Sequence, residues 1–226
     1  MGGEIPQKIS QKQVMAATNS NLYFIGAGSV GGHIVCNFKQ YNLPFKLCGI
    51  LDDDPAKTGQ DFYGHQIIGT TAMIAELGDV AVIVGIAFPS VKKKIIQYLS
   101  QFPGLHFPTL IHPAAWVSEN CFIDEGSIIY PGCSINFAST IGKHVVMNLN
   151  CAIGHHAHIG DYSSLAPGAN FGGHTTIETG CNIGIGVTTI QNITVGANAV
   201  IGGQTMLVKN VLAGSKVVGV PGKKIG

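Results

Sequence analysis

Residues 153–171 read Ile153-Gly154-His155-His156-Ala157-His158-Ile159-Gly160-Asp161-Tyr162-Ser163-Ser164-Leu165-Ala166-Pro167-Gly168-Ala169-Asn170-Phe171, with a large apolar residue at every sixth position. Neither an α-helix nor a simple strand repeats every six residues. The same step runs outward in both directions, through Ile111, Val117, Ile123, Ile129, Ile135, Ile141 and Met147 on one side and Ile177, Ile183, Thr189, Val195, Ile201 and Leu207 on the other. Glycine follows the apolar anchor at 142, 154, 160, 172, 184, 196 and 202. This hexad is the signature of a left-handed parallel β-helix, in which three hexads close one triangular coil and the array spans about five and a half coils. Residues eighteen apart then stack at about the 4.8 Å interstrand spacing.

Four residues after each anchor lies a second inward slot, which a narrow coil should restrict to small side chains. Ala115, Cys121, Ser127, Cys133, Ser139, Cys151, Ala157, Ser163, Ala169 and Cys181 fit that expectation. Four of the six cysteines fall in this slot, so they read as buried fillers in a reducing compartment, neither disulfides nor nucleophiles.

The outer surface of the array is poor in charge. Between 111 and 210 the charged residues are Glu119, Asp124, Glu125, Lys143, Asp161, Glu178 and Lys209, and flat faces of this kind suggest a homotrimer. The whole chain of 226 residues has a net charge of +1, and its 13 basic residues are all lysine. That excludes the electrostatic footprint of a nucleic-acid binder. No apolar run approaches the length of a membrane span, and the first twenty residues lack the apolar core of a secretory signal, so a cytoplasmic protein without a membrane partner is expected.

The N-terminal part has a different pattern. Asn21 to Ile25 reads as a strand, Gly26-Ala27-Gly28-Ser29-Val30-Gly31 as a glycine turn, and Ile34, Val35 and Phe38 as one face of a following helix. Apolar runs at Phe45 to Leu51 and Val80 to Ile86, the second followed by a helical stretch from Pro89 to Phe102, complete an α/β alternation. The organisation expected is a polar tail at 1–20, a Rossmann-like nucleotide-binding unit at 21–108 and the β-helix with its C-terminal cap at 109–226. The glycine turn also fits a dinucleotide fingerprint. The alternation stops near residue 111, however, leaving room for only about half of a full dinucleotide fold. The physical requirement, backbone that can approach a phosphate at a helix N-terminus, is met equally by a nucleotide-linked sugar.

Histidines cluster at 155, 156, 158 and 174. A zinc site of the β-helical carbonic anhydrase kind would pair histidines across coils, with partners thirty-six residues apart; the sequence has no such pair, and no metal is expected. A general base is the alternative, since imidazole has an unperturbed pKa of about 6.5. Solvated face fillers are a third reading.

Together these segments resemble a known family. The glycine turn Gly26 to Gly31, Leu51-Asp52-Asp53, Leu110-Ile111-His112-Pro113, Ile153-Gly154-His155-His156, Ile159-Gly160-Asp161-Tyr162, Ile201-Gly202-Gly203 and Gly219-Val220-Pro221-Gly222-Lys223 occur in the order seen in hexapeptide-repeat sugar acetyltransferases, of the PglD-like UDP-amino-sugar N-acetyltransferase and NeuD-like sialic acid O-acetyltransferase type. The resemblance implies transfer of acetyl from acetyl-CoA to the amine of a nucleotide-linked sugar, in particular a UDP-4-amino-4,6-dideoxy sugar. It implies that His155 is the base, with His156 beside it in the catalytic pair. Gly28, Ser29 and Val30 would line the sugar-nucleotide site, Asp52 and Asp53 the nucleoside, and Gly85 the far wall. Ser164, Gly173 and Ile185 would line acetyl-CoA in a groove between two β-helices, with the Gly173 amide on the thioester carbonyl. The chain departs from the family pattern at His156, where an acidic residue is common, and at Val30 and Ser164, where histidines are common. A sugar O-acetyltransferase and a non-catalytic trimeric nucleotide-sugar scaffold are the competing readings.

Overall fold

The computed structural model describes residues 21–225, so the expected polar tail lies outside the described residues. The chain divides between Leu110 and Ile111 into two compact units.

In the first unit, strands β1 (Asn21–Ile25), β2 (Lys46–Leu51), β3 (Asp61–Phe62), β4 (His65–Gly69), β5 (Val80–Val84) and β6 (Leu105–His106) form one sheet in the order β3-β4-β2-β1-β5-β6. All neighbours are parallel except the β3–β4 hairpin. Helices α1 (Ser29–Cys36) and α2 (Pro89–Leu99) follow β1 and β5. β5 is buried along its whole length, as its unbroken apolar run requires. It ends at Val84, short of the apolar run, with the Gly85 amide making the last ladder bond, to the Ile25 carbonyl at 2.8 Å. Lys92 of α2 is wholly buried, and burial pushes its ammonium down to about 7.

The second unit is the left-handed β-helix. Every anchor from Ile111 to Leu207 ends a two-residue strand, and each strand up to Thr188–Thr189 pairs in parallel with one eighteen residues on, as in Ile135 with Ile153 and Ile153 with Phe171. The strands form three faces. The first carries Ile128–Ile129, Val146–Met147, Ser164–Leu165, Asn182–Ile183 and Val200–Ile201; the second runs from Trp116–Val117 to Met206–Leu207; the third runs from Phe122–Ile123 to Thr194–Val195. Anchors from Ile123 onward are buried, Thr189 included, whose hydroxyl pairs with that of Thr175 at 2.9 Å.

The inner slot is less restrictive than its small residues suggest. Val145, Val187 and Ile193 occupy it and are buried, beside Thr175 and Thr205. Cysteines in this slot direct Sγ at main-chain carbonyls, Cys133 to Asn148 at 3.0 Å and Cys181 to Gly196 at 3.3 Å. Burial raises the Cys181 thiol to about 11, which makes it a filler and a poor nucleophile.

Corners obey a second rule that composition alone does not reveal. From 126 to 204 the third residue after the anchor takes the left-handed conformation, as glycine at 126, 132, 168, 180 and 186, asparagine at 150, 192 and 198, histidine at 144, 156 and 174, alanine at 138, tyrosine at 162 and glutamine at 204. Asparagine and histidine tolerate that region better than β-branched residues. The C-terminal segment, expected to be a cap, adds one short coil: Lys216–Val218 pairs with the first face at a spacing of sixteen, then folds back antiparallel onto Lys223–Lys224.

Candidate active site

The corner between the second and third faces stacks two columns of side chains. One is Phe137, His155 and Gly173; the other is Ala138, His156 and His174. The His155 ring lies parallel to Phe137, with centroids 5.3 Å apart and planes 13° apart. Above it Gly173 leaves the necessary room, since a Cβ there would meet His155 Nε2 and Cε1 at 2.7 Å. The imidazole is thus held between an aromatic face and bare backbone. Its Nδ1 lies 3.1 Å from His156 Nδ1, so one of the two donates to the other. His156 and His174 stack nearly parallel at 4.9 Å, and both stand almost perpendicular to His155. His155 is half-buried, whereas His156 and His174 are exposed.

Main-chain amides add a second feature at this corner. In some repeats, Phe137 of this same corner included, the second N–H after the anchor is capped by a side chain: Asp124 caps Glu125, Asn136 caps Phe137, Asp161 caps Lys143 and Glu178 caps Ala197, all at 2.8 Å. At His155 and Gly173 the preceding residue is glycine, and among the described residues neither amide has an acceptor. Gly173 is also buried. A buried N–H without a protein acceptor is uncommon and suits a ligand oxygen. Beside this corner, on the second face, an open groove of about 480 Å³ is lined by Trp116, Asn136, Gly154, Asn170, Gly172 and Thr188, among others.

The α/β unit has its own pocket, about 560 Å³, at the start of α1. Gly28 and Ser29 line it together with Gly32, His33, Phe62 and Tyr63. No side chain caps the α1 N-terminus, where Gly28 is the N-cap. Val30 is buried and points to the core, and Gly85 packs under the Phe24 ring, where a Cβ could not fit. Asp52 braces the turn: Oδ2 accepts from the Ala27 amide at 2.7 Å and from Lys57 Nζ at 3.0 Å, and Oδ1 accepts from the Asp54 amide at 3.0 Å. Burial alone would raise this carboxyl, but the hydrogen bonds from Asp54, Lys57 and Ala27 hold it below the usual aspartate range. Asp53 Oδ1 accepts from the Thr71 amide at 2.8 Å.

The sequence-derived residues therefore separate. His155, His156 and Gly173 converge on one corner, which Phe137 and His174 complete. Ser164 lies on the first face and Ile185 at the corner between the first and second, so neither joins that cluster within one chain. Asp161 accepts from the Lys143 amide at the corner between the third and first faces. In the α/β unit Gly28 and Ser29 reach the pocket, while Asp52 and Asp53 engage main-chain amides, Asp52 half-buried and Asp53 exposed. Phe62, Tyr63 and the groove residues carry no sequence signal beyond the eighteen-residue column. The spacing test against a metal site considered only partners thirty-six apart; the coil instead brings three histidines together at spacings of one and eighteen.

A Rossmann-like unit followed by a left-handed β-helix is a fold that the chain shares with solved sugar N-acetyltransferases. The chain matches GDP-perosamine N-acetyltransferase from Caulobacter crescentus, a histidine-to-alanine variant solved with CoA and GDP-perosamine, at a TM-score of 0.85 and 22% identity over 92% of this chain and 97% of that one. It also matches the acetyltransferase domain of PglB from Neisseria gonorrhoeae in complex with acetyl coenzyme A, at a TM-score of 0.83 and 26% identity over 92% and 100%. WeeI from Acinetobacter baumannii gives 0.79 and 25% over the same shares. No family model matches the chain, and none of its described helices is long and apolar enough to cross a membrane.

Proposed function

We propose that the protein is an acetyl-CoA-dependent N-acetyltransferase acting on a nucleotide-linked amino sugar, with His155 as general base. The observation that carries this reading is the His155 corner: an imidazole fixed by Phe137, Gly173 and His156, beside a buried amide with no protein acceptor. Likeness to the acetyl coenzyme A complex of the PglB domain supports it.

When the Nδ1 proton of His155 is donated to His156, Nε2 of His155 is left as a lone pair. Acetyl-CoA supplies an activated acetyl thioester when bound in the groove. His155 Nε2 accepts the proton of the acceptor amine as its nitrogen bonds to the thioester carbonyl carbon. The Gly173 N–H donates to the carbonyl oxygen as negative charge gathers there. As the carbon–sulfur bond breaks, the imidazolium returns its proton to the departing thiolate, and His155 regains its starting form. His156 acts as a positioning residue, pairing with the His155 ring where an acidic neighbour does so elsewhere in the family. The α1 pocket takes the nucleotide, its uncapped N-terminus facing the diphosphate. The acceptor is a UDP-4-amino-4,6-dideoxy sugar, the enzyme works in the cytoplasm, and it assembles as a trimer. The second face supports assembly: its outward column of Trp116, Ser134, Ala152, Asn170, Thr188 and Met206 carries no charge, and Trp116 is 58% exposed.

Thiol release from acetyl-CoA, measured against UDP- and GDP-linked 4-amino sugars and sialic acid, tests the reading. Release with amino sugars alone is expected. Release only with sialic acid converts the assignment to O-transfer, and no release with any acceptor leaves a binding scaffold. Sedimentation as a monomer would overturn the trimer.

A further inference from the structure

We propose that His155, His156 and His174 form a binding site for one divalent transition-metal ion of the zinc class. Their ligating nitrogens all lie within 4.8 Å of one another, and among the described residues no other group of three or more metal-binding side chains is brought so close. Tetrahedral zinc with nitrogens at 2.0–2.1 Å requires nitrogen–nitrogen separations of about 3.4 Å. The His155 and His156 pair already stands at 3.1 Å. The remaining approach falls to His156 and His174, whose rings are exposed and free to turn about their terminal torsions.

Because parallel stacked rings direct their lone pairs side by side, His156 or His174 tilts for both to reach one ion. His156 and His174 lie parallel one coil apart, and His155 faces both edge-on, at 88° and 89°. The site arises because His156 and His174 share the left-handed corner position, which aligns their side chains, while His155 immediately precedes one of them. Three imidazoles with no carboxylate or thiolate select zinc, nickel or copper over magnesium or calcium. Cationic repulsion is low as well: the nearest lysine in these columns, Lys209, stands three coils from His155, about 14 Å at the usual strand spacing. A fourth position remains open to solvent.

Such an ion would take a nitrogen of His155. On the reading of His155 as base, metal binding and acetyl transfer are then mutually exclusive, and the loaded protein is inactive. The binding itself does not depend on that reading.

The test uses the full chain, stripped with EDTA and dialysed. Titration with Zn²⁺ and Ni²⁺ against a chromophoric chelator should show one ion per chain, undisturbed by excess Mg²⁺, and Co²⁺ should give the absorption of a tetrahedral nitrogen site. His156→Asn and His174→Asn are the informative variants, because asparagine occupies the same left-handed position at 150, 192 and 198 and so should preserve the corner. Each should weaken binding tenfold or more while circular dichroism is unchanged. Absence of stoichiometric binding below millimolar Zn²⁺, or unchanged affinity in His174→Asn, overturns the metal site. Added Zn²⁺ should also abolish thiol release, with recovery on chelation. One ion bound at these residues without inhibition would sustain the metal site and overturn His155 as base; inhibition-free activity with no binding would do the reverse.

Discussion

Two corners of the same coil share a backbone and differ in almost everything chemical. Between the third and first faces, Asp161 caps the Lys143 amide, Glu178 caps the Ala197 amide, Lys143 pairs with Glu125 at 2.8 Å and His144 stacks on Tyr162 at 5.7 Å. Between the second and third faces, glycines precede His155 and Gly173, the amides have no acceptor among the described residues, and the imidazoles face outward. The first corner ties the amides of Glu125, Lys143 and Ala197 to carboxylates and stabilises the coil. The second leaves donors and lone pairs available, which a stability-driven sequence would not do. Function in this fold is written in the two residues after an anchor, on a coil whose geometry hardly changes.

The strongest way to break that contrast is His155→Ala. We expect kcat to fall by about 10²–10⁴, with KM for acetyl-CoA nearly unchanged. Steady-state thiol release decides it, and unchanged turnover would reduce the histidine corner to a solvated surface like any other.

Next is a pair of glycines at equivalent repeat positions. Gly173→Ala places a methyl against the His155 ring, where the built Cβ meets Nε2 at 2.7 Å. Displacing the base by an ångström should lower kcat about 10²-fold. Gly203→Ala meets nothing nearer than the Ile185 carbonyl at 3.3 Å and should be tolerated. Equal losses in both variants would mean that Gly173 acts through coil stability instead of through the ring.

Asp161→Ala tests the other corner. It removes the acceptor of the Lys143 amide at 2.8 Å, and because water can reach that amide the loss should be only about 0.5–1.5 kcal/mol in urea unfolding. Turnover should not change. A kinetic defect here would erase the division between the two corners.

How much of this division the sequence showed depends on which position is read. The hexad fixed the coil because an apolar anchor every sixth residue has one packing solution, and the eighteen-residue stack placed Phe137 and Gly173 on His155 before any coordinates. The left-handed corner position was not legible, since glycine, asparagine, histidine, alanine, tyrosine and glutamine all fill it and no single residue type marks it. Val145, Val187 and Ile193 show that the inner slot selects for shape along the coil more loosely than its cysteines and alanines suggest. In the α/β unit the glycine turn was plain, but Asp52 was read as a ligand group because its nearest use, bracing the Ala27 and Asp54 amides, depends on how the β2 end meets the turn. A carboxylate at a strand end looks the same in sequence whether it faces a ligand or its own backbone.

The smallest expected effect lies in the one charged pair of the stabilising corner. Lys143 and Glu125 sit one coil apart at 2.8 Å, with side chains 45% and 42% exposed. The hydrogen bond to Glu125 raises the lysine above its usual range against the opposing effect of burial, helped by the charges of Glu125, Asp124 and Asp161. A double-mutant cycle over Lys143→Ala and Glu125→Ala should return a coupling of only about 0.2–1 kcal/mol, typical of exposed pairs. Because the folded lysine is raised, its contribution is complete below the unfolded value of about 10.4 and disappears as pH climbs through the folded one. The coupling should therefore hold steady from pH 7 to 9, vanish in strongly alkaline buffer, and shrink in about 1 M salt, where the screening length falls to roughly 3 Å. A coupling that survives high salt would show this pair to be shielded from water, and the stabilising corner to be a more closed structure than its exposure indicates.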